Sequence, residues 1–273
     1  MKMKAILLAA ALITSVLFAG CSNNSAKPSE SAVSSESISQ AESSIPSEES
    51  SEESSEDTSA DVSDTSAEQG EGVDAHWFDD AEFIGDSVTL KLSYYADNGS
   101  LGDAKFLCGG SLGYNNCQMG IDEEGNVHPE YEGEKYTIFD GSAMLNPKKM
   151  FIMLGMNDIG LYGVDGAAEA MEVVLDKLKE KCPDAVIYVQ SVTPMLENMQ
   201  LTDLNNTTIA QFNEKAEKIA NGKGCIYLNV ASAFDDGSGN LVPEYCGDPQ
   251  AMGLHFSDEG CAVWVDYLKH HVQ

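Results

Sequence analysis

Residues 73–273 are predicted to form one α/β domain, doubly wound around a five-stranded parallel sheet. Short apolar segments alternate with longer amphipathic ones along this part of the chain, which is the pattern of strands joined by crossover helices. The segment 150–154 (MFIML) is apolar without interruption, as in a strand that is buried on both faces. A length of about 200 residues suits a single domain of this class.

The elements follow in order from local signals. The first strand, Ala81–Gly85, runs into Gly-Asp-Ser, and the second, Lys105–Cys108, is closed by two glycines. Apolar segments of strand length then predict the remaining strands at 149–155, 185–190 and 225–229. Apolar residues at helical spacing predict helices at 166–181, 205–220 and Asp258–His271, and Ser257 is a suitable N-cap for the last helix.

The N-terminus carries the features of an export signal. Lys2 and Lys4 precede an apolar stretch over 5–18 that is too short for a conventional membrane span. The sequence LFAGC over 17–21 resembles a bacterial lipobox. Residues 1–20 are therefore predicted to be a lipoprotein signal peptide, with Cys21 as the lipidated residue. The alternative is an ordinary secretory signal cleaved near Ala19 or Gly20, which would release the protein from the cell.

Residues 21–72 are predicted to form a disordered tether. The segment after Cys21 consists mainly of Ser, Glu, Ala and Asp, so it cannot bury enough apolar surface to offset the entropy of ordering. The whole chain has a formal net charge of -30. That charge disfavours nucleic acid, anionic polymers and anionic lipid head groups as partners and favours neutral substrates. Membrane attachment is expected through the N-terminal lipid alone, and the chain is expected to be a monomer.

Four short blocks bring together residues suited to ester hydrolysis. Gly85-Asp86-Ser87 places a serine between a strand and a helix, where nucleophiles are found. The glycine-rich stretch 109–113 closes the second strand, Asn157-Asp158 follows the third, and His255 precedes the last helix. A serine nucleophile needs a base to take its proton, and His255 can supply it. Each block also has a purely structural interpretation as a turn or a helix cap.

Together and in this order, the blocks resemble the SGNH/GDSL hydrolase family from about Phe78 to the C-terminus. The resemblance implies a flavodoxin-like fold of SGNH-hydrolase type, with Ser87 as nucleophile and His255 as base. It also implies an oxyanion hole formed by the N–H groups of Ser87 and Gly113 and the side chain of Asn157, with Gly110 as the alternative to Gly113.

One position departs from the family pattern. The family usually has an aspartate three residues before the histidine, where this chain has Met252. Methionine cannot accept a useful hydrogen bond from the imidazole. A backbone carbonyl, a water molecule or Asp248 must then orient His255. This departure motivates a second hypothesis, a catalytically weakened domain that binds glycans or a partner.

The predicted function is an extracytoplasmic serine esterase that removes small acyl groups, foremost acetyl, from a carbohydrate or a similar neutral ester. An O-acyltransferase would present the same residues. No cofactor is expected. No metal site is expected either, because the acidic loops 122–126 and 235–240 lack the closing glutamate of a calcium loop. Tyr114, Met156 and Leu161 are candidates for the cleft lining, with core packing as the alternative.

Six cysteines follow Cys21, an even number that permits disulfides in an exported chain. Proximity in the sequence and in the predicted sheet suggests three pairs. The alternative is that all six are small buried thiols, which the sequence cannot distinguish from pairing. The suggested pairs are Cys108 with Cys117, Cys182 with Cys225, and Cys246 with Cys261.

Overall fold

The computed structural model of the chain describes residues 71–273. The predicted signal peptide, Cys21 and almost all of the predicted tether lie outside the described residues, so these assignments stay predictions. Within residues 71–273, no helix combines the length and the apolar character that crossing a bilayer requires.

Five parallel strands form the central sheet, in the spatial order β2-β1-β5-β6-β7. A separate two-stranded antiparallel hairpin, β3 and β4, lies between β2 and β5 in the chain. Counted without the hairpin, the sheet order is 2-1-3-4-5, the flavodoxin-like order predicted from the resemblance. The strands are β1 (Ala81–Gly85), β2 (Lys105–Cys108), β3 (Glu130–Tyr131), β4 (Glu134–Lys135), β5 (Lys149–Met153), β6 (Val186–Gln190) and β7 (Ile226–Leu228).

Five α-helices accompany the sheet within residues 71–273. The register pairs Ala81 with Lys149 and Gly85 with Met153, so the carboxyl ends of β1 and β5 meet at one edge of the sheet. The chain order changes direction between these two strands, which is where doubly wound sheets bind their ligands. The helices are α1 (Ser87–Ala96), α2 (Ile138–Leu145), α3 (Met156–Lys181), α4 (Asn206–Gly222) and α5 (Asp258–His271).

A row of aromatic rings crosses one face of the sheet. Phe83 stacks between Phe106 and Phe151, at ring-centroid distances of 5.1 and 4.7 Å, and Phe151 stacks on Tyr188 at 4.6 Å. The strand register places these residues opposite one another on β2, β1, β5 and β6. Such cross-strand pairs fix the register, and they thereby fix the height at which each strand ends.

Two helical features differ from the prediction. Helix α3 begins at Met156, ten residues earlier than predicted, and is kinked at Gly163, whose φ of 70° is not helical. Polar and glycine residues at 157–166 hid this first part from the hydrophobic periodicity. Helix α2 was not predicted, since eight residues are too few for a clear periodic signal. The composition of the loop 122–126 predicts a hairpin turn there, but the hairpin of this insertion, β3–β4, turns at 132–133 instead.

The proposed disulfides are not formed. All six cysteines in residues 71–273 are free thiols, and all except Cys108 are buried. The thiols have separate neighbours: Cys117 donates to the Tyr114 carbonyl oxygen and Cys246 to Asp248, both at 3.4 Å. The buried-thiol alternative therefore describes them. Burial raises the pKa of several of these thiols, that of Cys117 to about 12, which disfavours the reactive thiolate.

Candidate active site

The turn between β1 and α1 holds Ser87 at the first position of the helix. Asp86 is the N-cap, and its carboxylate accepts the Val88 N–H at 2.9 Å. A Cβ at position 85 would overlap Thr89 Oγ1 and lie 2.9 Å from the Met153 carbonyl oxygen. Glycine is thus required for the close approach of strand and helix. Ser87 is left half-buried at the positive end of the α1 dipole.

Ser87, His255 and Asp248 are joined by two short hydrogen bonds. His255 Nε2 lies 2.8 Å from Ser87 Oγ, and His255 Nδ1 lies 2.7 Å from Asp248 Oδ2. The serine and the histidine are 168 residues apart in the chain, so this contact exists only in the folded domain. The order of nucleophile, imidazole and carboxylate is that of a serine hydrolase triad.

Asp248 is fixed by the same loop that carries His255. Its Oδ1 accepts the N–H groups of Leu254 and His255 at 3.0 and 3.1 Å, and its Oδ2 accepts the Met252 N–H at 3.3 Å. Partial burial raises the pKa of Asp248, but the hydrogen bonds from the side chain and backbone of His255 outweigh burial and hold the pKa below its usual value. The carboxylate is therefore charged when the imidazole needs an acceptor.

Asn157 faces the serine turn from the start of α3. Its Nδ2 donates to the Leu112 carbonyl oxygen at 3.0 Å and lies 3.5 Å from Asp86 Oδ2. Gly155, just before the helix, has a φ of 123°, and a Cβ there would stand 2.7 Å from the ring of Phe212. This glycine allows the chain to leave β5 and turn Asn157 toward Ser87.

The two candidate glycines of the oxyanion hole differ in their environment. Gly113 is buried, and its N–H donates to Asn116 Oδ1 at 2.8 Å. Gly110 is exposed, and a Cβ there would meet no atom within 4 Å. The Ser87 N–H, at the start of α1, has no acceptor within residues 71–273. The roles of these donors in catalysis stay predictions.

Asp158 shapes the loop that carries Gly113, a role that the sequence did not reveal. Its carboxylate accepts the N–H groups of Tyr114 and Asn115 at 2.8 and 2.9 Å and the Asn115 side-chain amide at 2.9 Å. A Cβ at Gly113 would lie 2.7 Å from Asp158 Oδ2. Burial raises the pKa of Asp158 despite these bonds. Its position beside Asn157, directly after a buried strand, was the only available signal.

Asp86 is fully enclosed beside the triad. Burial is the largest influence on this carboxyl and raises its pKa to about 6, and the proximity of His255 and the Val88 N–H work in the opposite direction. Two of the three candidates for the cleft lining are core residues: Tyr114 is 1% exposed and Met156 is 5% exposed. Leu161, the third, is 76% exposed at the end of the first turns of α3.

The part of the chain that holds this site matches a known protein family. Residues 83–263, more than half of the chain, match the model of the GDSL-like lipase/acylhydrolase family. The chain belongs to this family. The match begins in β1, two residues before the serine turn, and ends within α5, so it includes Ser87, Asn157 and His255. The family assignment and the α/β fold predicted from the sequence are confirmed.

Known relatives agree with this assignment. A multidomain esterase of Ruminococcus flavefaciens is 30% identical over 93 residues, which cover 33% of this chain and 12% of that protein. The chain thus spans about an eighth of the length of this relative.

Solved structures share the fold. The structure of a proposed platelet activating factor from Streptococcus pneumonia has a TM-score of 0.53 and 20% identity to this chain. The similarity covers 70% of this chain and 82% of the other. A GDSL-like lipase from Bacteroides thetaiotaomicron has a TM-score of 0.50 and 15% identity, covering 69% and 85%. At these identities the likeness concerns the fold alone.

Proposed function

We propose that this GDSL esterase is an extracytoplasmic serine hydrolase that removes small acyl groups, foremost acetyl, from a neutral ester such as an acylated carbohydrate. The observation that carries the proposal is the unbroken chain of hydrogen bonds from Ser87 Oγ through His255 to Asp248, at 2.8 and 2.7 Å. The acidic surface of a chain with net charge -30 supports a neutral substrate rather than an anionic one.

In the proposed reaction, Ser87 Oγ attacks the acyl carbon while His255 Nε2 takes the hydroxyl proton. The carbonyl electron pair moves onto oxygen, and the resulting oxyanion accepts hydrogen bonds from the Ser87 N–H and the Asn157 side chain. The Gly113 N–H is the third proposed donor; it donates to Asn116 Oδ1 in this structure, so this role requires that hydrogen bond to break. Collapse of the intermediate breaks the ester C–O bond, and His255 returns the proton to the departing alcohol.

Water then attacks the acyl-Ser87 ester, with His255 again as the base. The second tetrahedral intermediate collapses to release the carboxylic acid and the free serine. Asp248 remains ionised throughout, since it holds the imidazole tautomer that leaves Nε2 free to accept the serine proton and stabilises the imidazolium that forms.

Release of 4-nitrophenolate from 4-nitrophenyl acetate tests the proposal. We expect the activity of the purified protein to fall to background in Ser87→Ala, which lacks the nucleophile. Asp248→Asn should lower kcat by about 10³–10⁴ and should also lower the thermal unfolding temperature, because an amide donor replaces one of the two oxygens that accept loop N–H groups. The matched control is Asp184→Asn, an exposed position just before β6 and hence at the amino edge of the sheet, opposite the site, which should retain full activity. A folded wild-type protein that shows no Ser87-dependent release would contradict the proposal.

The alternatives to an esterase are a weakened binding domain and an O-acyltransferase. The hypothesis of a weakened binding domain arose from Met252. Because the Asp248–His255 contact supplies an orienting partner, no observation now favours that hypothesis. An O-acyltransferase would use the same acyl-enzyme. Adding a sugar acceptor to the assay would then yield acylated sugar in preference to acetate.

We propose further that Cys21 is lipidated and anchors the protein to the cell membrane. The proposal depends on the lipobox-like residues 17–21 and the polar segment that follows them. In a bacterial host, the wild-type protein should incorporate an alkyne-labelled fatty acid and fractionate with membranes, and Cys21→Ala should do neither. An unlabelled wild-type protein in the medium would instead indicate ordinary signal cleavage.

A further inference from the structure

Exposed apolar side chains stand on three segments that are connected with Asn157 and His255 by sequence or by contacts. Ten large apolar side chains are exposed in the described chain, and six of them are spread singly over other elements. The remaining four, which we call the apolar rim, are Leu161 (76% exposed), Tyr162 (54%), Leu201 (62%) and Met252 (51%). Exposed apolar groups on segments that adjoin a candidate reactive centre point to a binding surface.

The first part of the apolar rim stands on the first turns of α3. Leu161 is four residues after Asn157, so it projects from the same helical face one turn further from Asp86 and Ser87. Tyr162 follows it. Gly163, with a φ of 70°, then kinks the helix, and we call the part of α3 before this kink the arm. Because no atom lies within 4 Å of a Cβ at Gly163, the arm is open to solvent on that side.

The segment 196–204 connects this arm with the loop of the catalytic histidine. On one side, a Cβ at Gly160 would lie 3.5 Å from Leu204 Cβ, and the Leu201 N–H donates to the Leu204 carbonyl oxygen at 2.8 Å. On the other side, the Leu196 N–H donates to the Gly253 carbonyl oxygen at 2.8 Å. The segment that carries Leu201 therefore contacts the first turns of α3 through Leu204 and the histidine loop through Leu196.

Met252 completes the apolar rim at the histidine loop. It lies three residues before His255, and its N–H is held by Asp248 Oδ2 at 3.3 Å while its side chain is half exposed. The four side chains thus stand on three segments that contact one another, one of which carries Asn157 and another His255. A substrate whose ester carbon lies against Ser87 would extend over this surface.

We propose that the apolar rim binds the sugar rings that flank the esterified unit of a neutral polysaccharide, and so favours polymeric over small esters. This inference rests on the proposed esterase function. The apolar rim is open, and each of its side chains is more than half exposed. An alkyl acyl chain calls for an enclosed apolar slot that removes it from water. A pyranose ring instead presents one C–H face to apolar and aromatic groups and keeps its hydroxyls in water.

A cavity on another part of the domain is separate from the apolar rim. It has a volume of about 650 Å³ and is lined by residues of α4, β7 and the end of α5, among them Tyr227 and Tyr267. None of the four rim residues lines it, nor does Ser87 or His255. An ester bound there would therefore lie away from Ser87 and His255.

The test compares two acetyl esters on the same variants. The substrates are chemically acetylated xylohexaose and 4-nitrophenyl acetate, and the measured quantity is the ratio of their kcat/KM values. The variants are Leu161→Ser, Leu201→Ser, Met252→Ser and the triple combination. Matched controls are Tyr94→Ser and Val173→Ser, which remove exposed apolar side chains (65% and 44%) from α1 and the middle of α3. Thermal unfolding verifies that all variants fold.

We expect the hexasaccharide-to-small-ester ratio to fall about tenfold in the triple variant, equivalent to about 1.4 kcal/mol of lost binding, mainly through KM. The controls should keep the wild-type ratio. An unchanged ratio in the triple variant, or an equal fall in the controls, would overturn the inference. A changed preference among 4-nitrophenyl acetate, butyrate and octanoate without a changed sugar ratio would assign the apolar rim to the acyl chain instead.

Failure of this inference is distinguishable from failure of the proposed function. Ser87-dependent hydrolysis of 4-nitrophenyl acetate, combined with rim variants that behave as wild type, removes only the rim inference. A folded wild-type protein that hydrolyses neither substrate removes both.

Discussion

Replacing Glu82 by glutamine should stabilise the protein increasingly as the pH rises. Glu82 lies in the centre of the sheet on β1 and is 0% exposed. Its Oε1 accepts the Ser142 hydroxyl at 3.0 Å, and its Oε2 has no partner within the described residues. Burial raises the pKa of Glu82 from 4.5 to about 8, against a smaller opposing influence of the Ser142 hydrogen bond.

The sign of the effect follows from linkage. Below pH 4.5 the carboxyl is protonated in both the folded and the unfolded protein, so it does not favour either state. Between pH 4.5 and about 8 the unfolded chain releases the proton while the folded protein keeps it. The free energy of unfolding therefore falls by about 1.4 kcal/mol for each pH unit in this window. From pH 5 to pH 7.5 the loss is about 3 kcal/mol.

Urea denaturation at pH 5 and pH 7.5 measures this difference. Glutamine has nearly the same shape, can accept the Ser142 hydroxyl and does not titrate. Glu82→Gln should therefore match the wild type closely at pH 5 and exceed its free energy of unfolding by about 3 kcal/mol more at pH 7.5, with equal m-values. Glu134→Gln, at an exposed position of β4, serves as the control. A stability difference that stays constant between the two pH values would refute the assignment of a neutral buried carboxyl.

Three further predictions concern the site. Asn157→Ala should lower kcat for 4-nitrophenyl acetate by about 10²–10³, because it removes a donor to the oxyanion; unchanged turnover in a folded variant would exclude that role. Asp158→Ala should lower the free energy of unfolding by about 2–4 kcal/mol and should also lower kcat/KM, because the N–H groups of Tyr114 and Asn115 lose their acceptor. Calorimetry measures the first change and the ester assay the second. A variant with wild-type stability would contradict this role of Asp158. Gly155→Ala should lower the free energy of unfolding by about 2 kcal/mol or more, since the φ of Gly155 is 123° and the added Cβ would meet Phe212 at 2.7 Å. Gly99→Ala is the control for the backbone contribution, because Gly99 has a φ of 82° and no atom within 4 Å of an added Cβ. An equal loss of stability in the two variants would exclude the clash with Phe212.

The sequence was sufficient to predict the elements whose signals are local. The apolar run 150–154 and the Gly-Asp-Ser turn placed β5 and Ser87 correctly, since a doubly buried strand and a strand-to-helix turn each need particular residues at particular positions. The family resemblance added His255. The structure then brought these residues within hydrogen-bonding distance, which no local signal could establish.

What the sequence missed depends on tertiary contacts. Asn116 engages the Gly113 N–H and Asp158 holds the two residues after it, but Asn and Asp in a loop are ordinary turn formers in sequence terms. Glu82 interrupts an otherwise apolar strand and would normally indicate an exposed position. The folded structure shows that this carboxyl is enclosed, because α2 packs against it and Ser142 of α2 donates a hydrogen bond to it.

The histidine loop supplies a carboxylate to His255 although the usual family position of the aspartate holds Met252. The Gly247 N–H donates to the His255 carbonyl oxygen at 2.7 Å, which folds the loop back on itself and brings Asp248 to the imidazole. The carboxylate also accepts the N–H groups of Met252, Leu254 and His255, so one side chain closes the loop and contacts the imidazole. In the proposed mechanism Asp248 orients the base from seven residues away, and position 252 therefore does not need a carboxylate. A solvent-exposed methionine is compatible with that mechanism, and in the proposed apolar rim it adds an apolar group for a flanking sugar ring.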